Sequence, residues 1–223
     1  MCKYRLLIFD LDDTLFDYKE TEISALRKAL ECLNIPYTEE YYQLYKNANN
    51  EAKKMVDNYI LNLPLFRRHR ASLFLNSINK SSVSIIHFIS LMLEASESGI
   101  LIDNVFETVS KISINKVIGT NGTTHPRLNK LNNSIIAPYF SNFYSSEFLG
   151  CAKPDPNFFI KICQMEGIDL NEVAAIGDNY YTDGLGAKNA GIKSFIINSS
   201  KQNNNDSNII LLENMSDLLK WFD

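Results

Sequence analysis

The sequence predicts an α/β protein: a Rossmann-like parallel sheet core with helices on both faces and an inserted all-helical cap domain. A short apolar run at residues 6–9 is followed at once by acidic residues, as is typical of a buried central strand. From about residue 99 onward, short apolar strands alternate with helices, which indicates a parallel sheet covered on both sides. Between these parts, residues 17–96 show no strand pattern. We therefore predict a core domain from residues 1–16 and 97–223 and a helical cap domain from residues 17–96.

The inserted segment is predicted to contain four helices. Apolar residues recur at helical spacing over 17–33, and a second helix begins after Thr38, a predicted N-cap. One face of the second helix carries mostly aromatic and small residues: Tyr41, Tyr45, Ala48, Ala52, Met55 and Tyr59. A third helix is predicted over 65–79. The fourth, over 83–96, is apolar on nearly all sides and is predicted to be buried.

The core segment alternates regularly between the two kinds of element. Strands are predicted at 115–119, 142–145, 173–177 and 193–197, with an edge strand at 209–212. Helices are predicted at 102–112, 126–133, 156–166 and 182–189, followed by a last helix that Ser216 caps.

Composition excludes several classes of protein. Lys and Arg number 22 against 26 Asp and Glu, so no basic field for a nucleic-acid polymer is expected. The four cysteines lack metal-ligand spacing, which favours reduced thiols. The longest apolar stretch, residues 85–93, is about half the length of a membrane span. The chain begins directly in a strand pattern without a leader, so a cytoplasmic protein without a membrane partner is expected.

Three carboxylates follow the first strand within four positions. Alternation along an extended chain places Asp10 and Asp12 on one side and Asp13 on the other. Two acids so close require a cation, a lysine or a shared proton. A calcium loop is excluded, because Leu15 and Thr21 occupy the positions that need glycine and glutamate. An acidic turn without chemical function is the remaining alternative.

Later segments supply the partners that these acids need. The carboxyl ends of parallel strands meet at one edge of a sheet, where ligands bind. Thr120, Asn121 and Gly122 follow a strand and offer a hydroxyl and backbone amides to a phosphate. Lys153 precedes a helix and supplies compensating charge. Asp178, with Asp183 five positions on, can complete an oxygen site for Mg2+.

Four segments in this order resemble the motifs of the haloacid dehalogenase superfamily of phosphohydrolases. They are FDLDDTL at 9–15, TNG at 120–122, AKPD at 152–155 and IGDNYYTD at 176–183. The resemblance implies that Asp10 attacks phosphorus to form an aspartyl phosphate and also binds Mg2+. It implies that Asp12 is the general acid and base and binds the metal through its backbone carbonyl.

The same resemblance assigns the other site residues. Thr120 and Lys153 would bind the phosphoryl oxygens, together with the backbone at 121–122. Asp178 would bind Mg2+ directly and Asp183 would be an outer or water-bridged ligand. The dehalogenase branch of the family lacks an acid at the position of Asp12, so this acid favours a phosphate ester over a carbon–halogen bond.

The motifs are most similar to those of the pyrimidine 5′-nucleotidase subfamily with a helical cap. This implies a phosphatase of a small-molecule phosphomonoester, with a nucleoside monophosphate as the first expectation. Sugar phosphates, phosphoglycolate, a phosphomutase reaction and a family member without catalysis are the alternatives. The chain is expected to be a monomer or a homodimer.

Overall fold

The computed structural model describes residues 3–57, 63–197 and 206–222, except for the side chains of residues 56, 57, 63 and 64. The chain divides into two compact units, Met1–Tyr18 with Gly99–Asp223, and Lys19–Ser98. Each of the two crossings between the units lies two residues beyond the boundary that the sequence suggests. Tyr59, which was assigned to the face of the second helix, lies outside the described residues.

Six parallel strands form the sheet of the first unit. They are β1 Leu6–Phe9, β2 Asn115–Thr120, β3 Asn142–Ser145, β4 Val173–Gly177, β5 Lys193–Ile196 and β6 Ile209–Leu211. The strand order is β3-β2-β1-β4-β5-β6. Phe9, the last residue of β1, is level with Ile118 of β2 and Ile176 of β4. The carboxyl ends of these three strands therefore lie side by side, and the predicted α/β fold class is confirmed.

The other regular elements among the described residues are helices and three 3-10 segments, Ala137–Tyr139, Leu170–Glu172 and Met215–Leu218. The helices of the inserted segment are α1 Tyr18–Cys32, α2 Glu39–Asp57, α3 Leu63–Ser77 and α4 Ile85–Ser96. Those of the first unit are α5 Val105–Lys111, α6 Thr124–Asn132, α7 Ser146–Leu149, α8 Pro156–Glu166, α9 Gly186–Asn189 and α10 Leu219–Phe222. A π-helical turn, Tyr180–Leu185, precedes α9, where the sequence suggested one continuous helix.

The alternation of side chains along β1 builds two apolar layers. Leu7 and Phe9 pack in one cluster with side chains of α5, α6 and α10. Leu6 and Ile8 pack in a second cluster with side chains of α8 and α9. All four strand side chains are at most 1% exposed. The sheet is therefore covered on both faces, which explains why its central strand is wholly apolar.

The backbone pairs with itself where the chain leaves the first unit and returns to it. Phe16 forms an antiparallel bridge with Leu101. The amide of Asp17 donates to the Ile100 carbonyl at 2.8 Å, and the amide of Ile102 donates to the Leu15 carbonyl at 3.0 Å. The two ends of the insertion are thus fixed together within the sheet-containing unit.

The helical unit has its own apolar core. Tyr45 of α2 meets Phe74 of α3 edge to face, with ring centroids 5.4 Å apart, and both rings are buried. The predicted Thr38 cap is confirmed, because its hydroxyl accepts the Tyr41 amide at 3.1 Å. No helix among the described residues is long and apolar enough to span a membrane.

Two expectations about the helices are wrong. In α4 only Phe88 and Met92 are buried, and Ile86 is 65% exposed. Only one side of this helix packs against other residues, so the burial predicted from its apolar composition on nearly all sides is wrong. The last helical segment is capped by Asn214 and not by Ser216, because Asn214 and Asp217 form a reciprocal capping box.

Gly119 of β2 lies where α8 packs closely against the sheet. A Cβ built on Gly119 would lie 2.7 Å from Ile8 Cγ2 and within 3.2 Å of side-chain atoms of Ile162 and Phe158. Gly119→Ala is expected to lower the free energy of unfolding by about 1–3 kcal/mol, because added volume strains a packed core. Urea unfolding would measure this. Gly184→Ala is the control, since its nearest contacts are ordinary ones at 3.6 Å; equal midpoints for the two variants would contradict the prediction.

Candidate active site

Residues that are distant in the sequence meet at the carboxyl edge of the sheet. Asp10 follows β1, Thr120 ends β2 and Asp178 follows β4, and these strands are neighbours. Lys153 lies on the loop between α7 and α8, and Asp183 lies in the π-helical turn after β4. Lys153 and Asp183 contact each other directly, and Lys153 also contacts Asp10.

Lys153 joins two of the predicted acids. Its ammonium donates to Asp10 Oδ1 at 2.7 Å and to Asp183 Oδ1 at 2.6 Å, and its side chain is only 3% exposed. Burial alone would lower the pKa of Lys153, but the carboxylates of Asp10 and Asp183 raise it above its usual value. The lysine therefore stays charged in this site.

Asn121 holds the lysine loop in place. Its Nδ2 donates to the Lys153 carbonyl and its Oδ1 accepts the Lys153 amide, both at 2.9 Å. This reciprocal pair uses the side chain of Asn121 to join the loop after β2 to the loop before α8. This role of the Asn121 side chain was not predicted, since only the backbone of Asn121 was expected to belong to the site.

Three carboxylates form a group that could hold a metal ion. Asp10, Asp178 and Asp183 each offer an oxygen, and these oxygens lie within 4.8 Å of one another. The hydroxyl of Thr14 donates to Asp178 Oδ1 at 3.3 Å, and the amide of Asn179 donates to Asp183 Oδ2 at 3.2 Å. These contacts orient the acids without neutralising their charge.

The charge balance of this group favours a bound cation. Burial raises the pKa of Asp10 to about 7, Lys153 opposes this, and the carboxylates of Asp183 and Asp178 add to it. Burial also raises the pKa of Asp178 to about 6, again with a contribution from Asp183. One lysine thus does not compensate three close acids. An oxygen-preferring divalent cation would fit this donor set.

Gly177 allows the third acid to reach this group. A Cβ on Gly177 would collide with the carboxyl group of Asp183. The last residue of β4 must therefore lack a side chain for Asp183 to fold back against the end of the strand.

The side chain of Asp12 lies with a different set of partners. Lys130 of α6 donates to Asp12 Oδ1 at 2.5 Å, and Arg127 Nε lies 3.4 Å from Asp12 Oδ2. Among the described residues, the acid group that could hold a metal does not include the Asp12 side chain. Arg127 and Lys130 were not among the predicted site residues. They lie three positions apart on one face of α6, but nothing near them in the sequence points to Asp12.

The loop after β2 is only partly free to bind an anion. Thr120 is buried, and Gly122 has a φ of 119°, a conformation that favours glycine. The Gly122 amide already donates to Ser146 Oγ at 2.8 Å, and the Thr124 amide donates to Glu147 at 2.9 Å. Helix α7, which the sequence analysis missed, thus occupies the Gly122 amide that was expected to bind phosphate.

Asp13 is not part of the three-acid group and has a backbone partner of its own. It adopts a left-handed conformation with φ 60°. Its Oδ1 accepts the Tyr18 amide at 3.1 Å, and the residue is exposed. The extended alternation predicted for this segment is therefore wrong at Asp13. The side chains of Asp10 and Asp12, which were predicted to share one side, also contact different lysines.

Comparisons with known proteins agree with this architecture. The family described as haloacid dehalogenase-like hydrolase matches residues 4–191. HAD-hydrolase YfnB of Bacillus subtilis is 28% identical over 92% of this chain and 88% of its own length. A crystal structure of YfnB bound to magnesium has a TM-score of 0.82, with 25% identity and 99% of both chains covered.

Two further relatives have named substrates. Pyrimidine 5′-nucleotidase PynA of Streptococcus pneumoniae is 29% identical over 87% of this chain and 84% of its own length. Glyceraldehyde 3-phosphate phosphatase of Pyrococcus abyssi is 25% identical over 85% of this chain and 79% of its own length. The family match at residues 4–191 runs from before β1 to just beyond α9 and so covers well over half of the chain. The chain therefore belongs to the haloacid dehalogenase-like hydrolase family.

Proposed function

We propose that this protein is a Mg2+-dependent phosphomonoester hydrolase that works through an aspartyl-phosphate intermediate. The observation that carries the proposal is the placement of Asp10, which contacts Lys153 and belongs to the three-acid group with Asp178 and Asp183. A carboxylate between an ammonium group and a cation site is suited to attack a phosphate dianion, since the two positive charges reduce the repulsion between the carboxylate and the phosphate.

The ligands of this site suit Mg2+ better than a metal ion that prefers thiolate ligands. The donors are carboxylate oxygens, and three of them lie beside the one ammonium group of Lys153. Burial raises the pKa values of Asp10 and Asp178, and neighbouring carboxylates add to this. The related YfnB crystallised with magnesium bound. Asp10, Asp178 and Asp183 would hold the ion, with the backbone carbonyl of Asp12 as a further ligand. When bound, Mg2+ would neutralise charge that develops on the transferred phosphoryl group.

The proposed reaction has two steps. In the first, an Asp10 oxygen bonds to phosphorus while the ester P–O bond breaks, and Asp12 donates a proton to the departing oxygen. In the second, Asp12 takes a proton from water as the water oxygen bonds to phosphorus and the bond to Asp10 breaks. Thr120 and Lys153 hold the phosphoryl oxygens in both steps, together with the amide of Asn121.

A nucleoside 5′-monophosphate is the first choice of substrate. The similarity to PynA over most of both chains supports it. A sugar or triose phosphate is the second candidate, supported by similarity to glyceraldehyde 3-phosphate phosphatases. Phosphoglycolate and a phosphomutase reaction are further alternatives. The proposal includes a cytoplasmic monomer or homodimer, with residues 17–96 as the cap domain.

A substrate panel separates these candidates. Phosphate release with Mg2+ is expected to be fastest with one or more nucleoside 5′-monophosphates, compared with sugar phosphates, triose phosphates and phosphoglycolate. Transfer of phosphate to a second sugar hydroxyl, detected by NMR, would identify a mutase. Strong release from another class with weak, uniform release from nucleotides would overturn the nucleotide assignment but not the phosphatase.

Asp10→Asn tests the nucleophile. The amide cannot form the phosphoenzyme, so kcat is expected to fall at least about a thousand-fold. Asp13→Asn is the matched control, because it changes a neighbouring acid by the same atoms and lies outside the acid group. It is expected to keep most of the activity. Circular dichroism would verify folding of both variants, and comparable activity in the two would contradict the mechanism.

Magnesium affinity is expected to depend on pH. Cation binding requires ionised carboxylates, whereas the pKa of Asp10 is raised to about 7 and that of Asp178 to about 6. Lowering the pH from about 8 to about 5.5 protonates both groups and should weaken binding at least about ten-fold. Calorimetry in buffers of different ionisation enthalpy would measure the protons released. Affinity and proton release that do not change with pH would refute this account.

Removal of Mg2+ by a chelator is expected to abolish phosphate release, and addition of Mg2+ is expected to restore it.

A further inference from the structure

A second cationic contact of the site involves Asp12 and is separate from the Lys153 cluster. Lys130 Nζ lies 2.5 Å from Asp12 Oδ1, and Arg127 Nε lies 3.4 Å from Asp12 Oδ2. Both cations come from α6 at a spacing of three residues, so they share one face of the helix. Lys130 donates a hydrogen bond to one carboxylate oxygen, which orients the group. Arg127 Nε lies within ion-pair distance of the other oxygen but forms no hydrogen bond among the described residues.

The lysine itself is held firmly in place. Lys130 is only 6% exposed, and its ammonium lies over the Phe16 ring at 5.5 Å from the centroid. A Cβ built on Gly99 would lie 2.7 Å from Lys130 Cγ and 2.8 Å from Lys130 Cδ. The stem of the lysine therefore passes closely between Gly99 and Phe16 before it reaches Asp12. A long side chain that is confined in this way has few other rotamers available.

Asp12 is kept apart from the metal-binding acids by these contacts. Its side chain is 19% exposed and so remains accessible to a substrate atom. Asp10, Asp178 and Asp183 form the acid group without it. Within the described residues, one acid is thus fixed by α6 while three face a common cation position.

We propose that Lys130 is a positioning residue that holds the Asp12 carboxylate toward the leaving group and away from the metal ligands, with Arg127 supporting the same orientation. This inference rests on the proposed function, in which Asp12 donates the proton to the departing oxygen. It adds that the acid works only in the orientation that α6 imposes. Lys130 does not touch the phosphoryl group and acts through Asp12.

The leaving group of the substrate provides a specific test. An alkyl phosphate releases a poor leaving group that needs a proton, whereas p-nitrophenyl phosphate releases a stable phenolate that does not. The parameter kcat/KM reports the steps up to departure of this group. Misplacing a general acid should therefore lower kcat/KM for the alkyl ester and change it little for the aryl ester.

The experiment compares two buried lysines in the purified full chain with Mg2+. Lys130→Met removes the ammonium and keeps an apolar stem. Lys116→Met is the control, because Lys116 is 4% exposed and, among the described residues, its ammonium donates to the backbone carbonyls of Ile112 and Ile114, at 2.5 and 2.9 Å. The probes are p-nitrophenyl phosphate and the best alkyl phosphomonoester of the substrate panel.

Lys130→Met is expected to lower kcat/KM for the alkyl ester about 10- to 100-fold and to change that for the aryl ester by less than about three-fold. Lys116→Met should leave the ratio of the two values unchanged, even if it lowers the melting temperature. Equal losses with both esters in Lys130→Met, or no loss with either, would overturn the inference while the phosphatase assignment stands. A wild-type protein without Mg2+-dependent phosphatase activity would overturn both.

A second variant disturbs the contact between Lys130 and Asp12 without changing a charge. Gly99→Ala introduces a methyl group against the Lys130 stem and Phe16 and should displace the ammonium from Asp12. The same selective loss with the alkyl ester is expected. This variant decides the question if Lys130→Met does not fold, and an unchanged ratio in folded Gly99→Ala would then count against the inference.

Discussion

The arrangement of the site depends on one buried ammonium group. Lys153 contacts Asp10 and Asp183, which follow different strands of the sheet, and is almost wholly removed from water. Without it, burial would leave close carboxylates with no internal counter-charge, and protonation or separation would relieve their repulsion. Asn121 fixes the backbone of this lysine from the loop after β2. Four chain segments are therefore held together by contacts around a single residue.

The parts of the fold with strong local signals were predictable from sequence. Strands β3 and β4 and helix α8 begin and end at the predicted residues, because turn residues bound them and their apolar patterns are short and clear. The carboxyl-edge rule then brought Asp10, Thr120 and Asp178 together, since parallel strands share their direction. Lys153 was expected to supply compensating charge to these acids, but its contact with Asp183 in place of Asp12 was not predicted.

Other features depend on contacts that have no local signal. Helix α7 has only four residues, too few to show a helical period. Lys130 meets Asp12 across 118 positions of sequence, so nothing near either residue predicts the pair. The exposure of Ile86 shows that apolar composition indicates the capacity to be buried, whereas burial also requires a neighbouring surface.

The backbone pairing of Phe16 with Leu101 has a consequence for the history of such chains. Hydrogen bonds within the sheet-containing unit join the two ends of the insertion. The distance between these two ends is therefore set by that unit and does not depend on the length of the inserted segment. The entropy of closing a loop grows only slowly with its length. Evolution could therefore lengthen, shorten or replace the intervening helices without displacing the acids at the edge of the sheet.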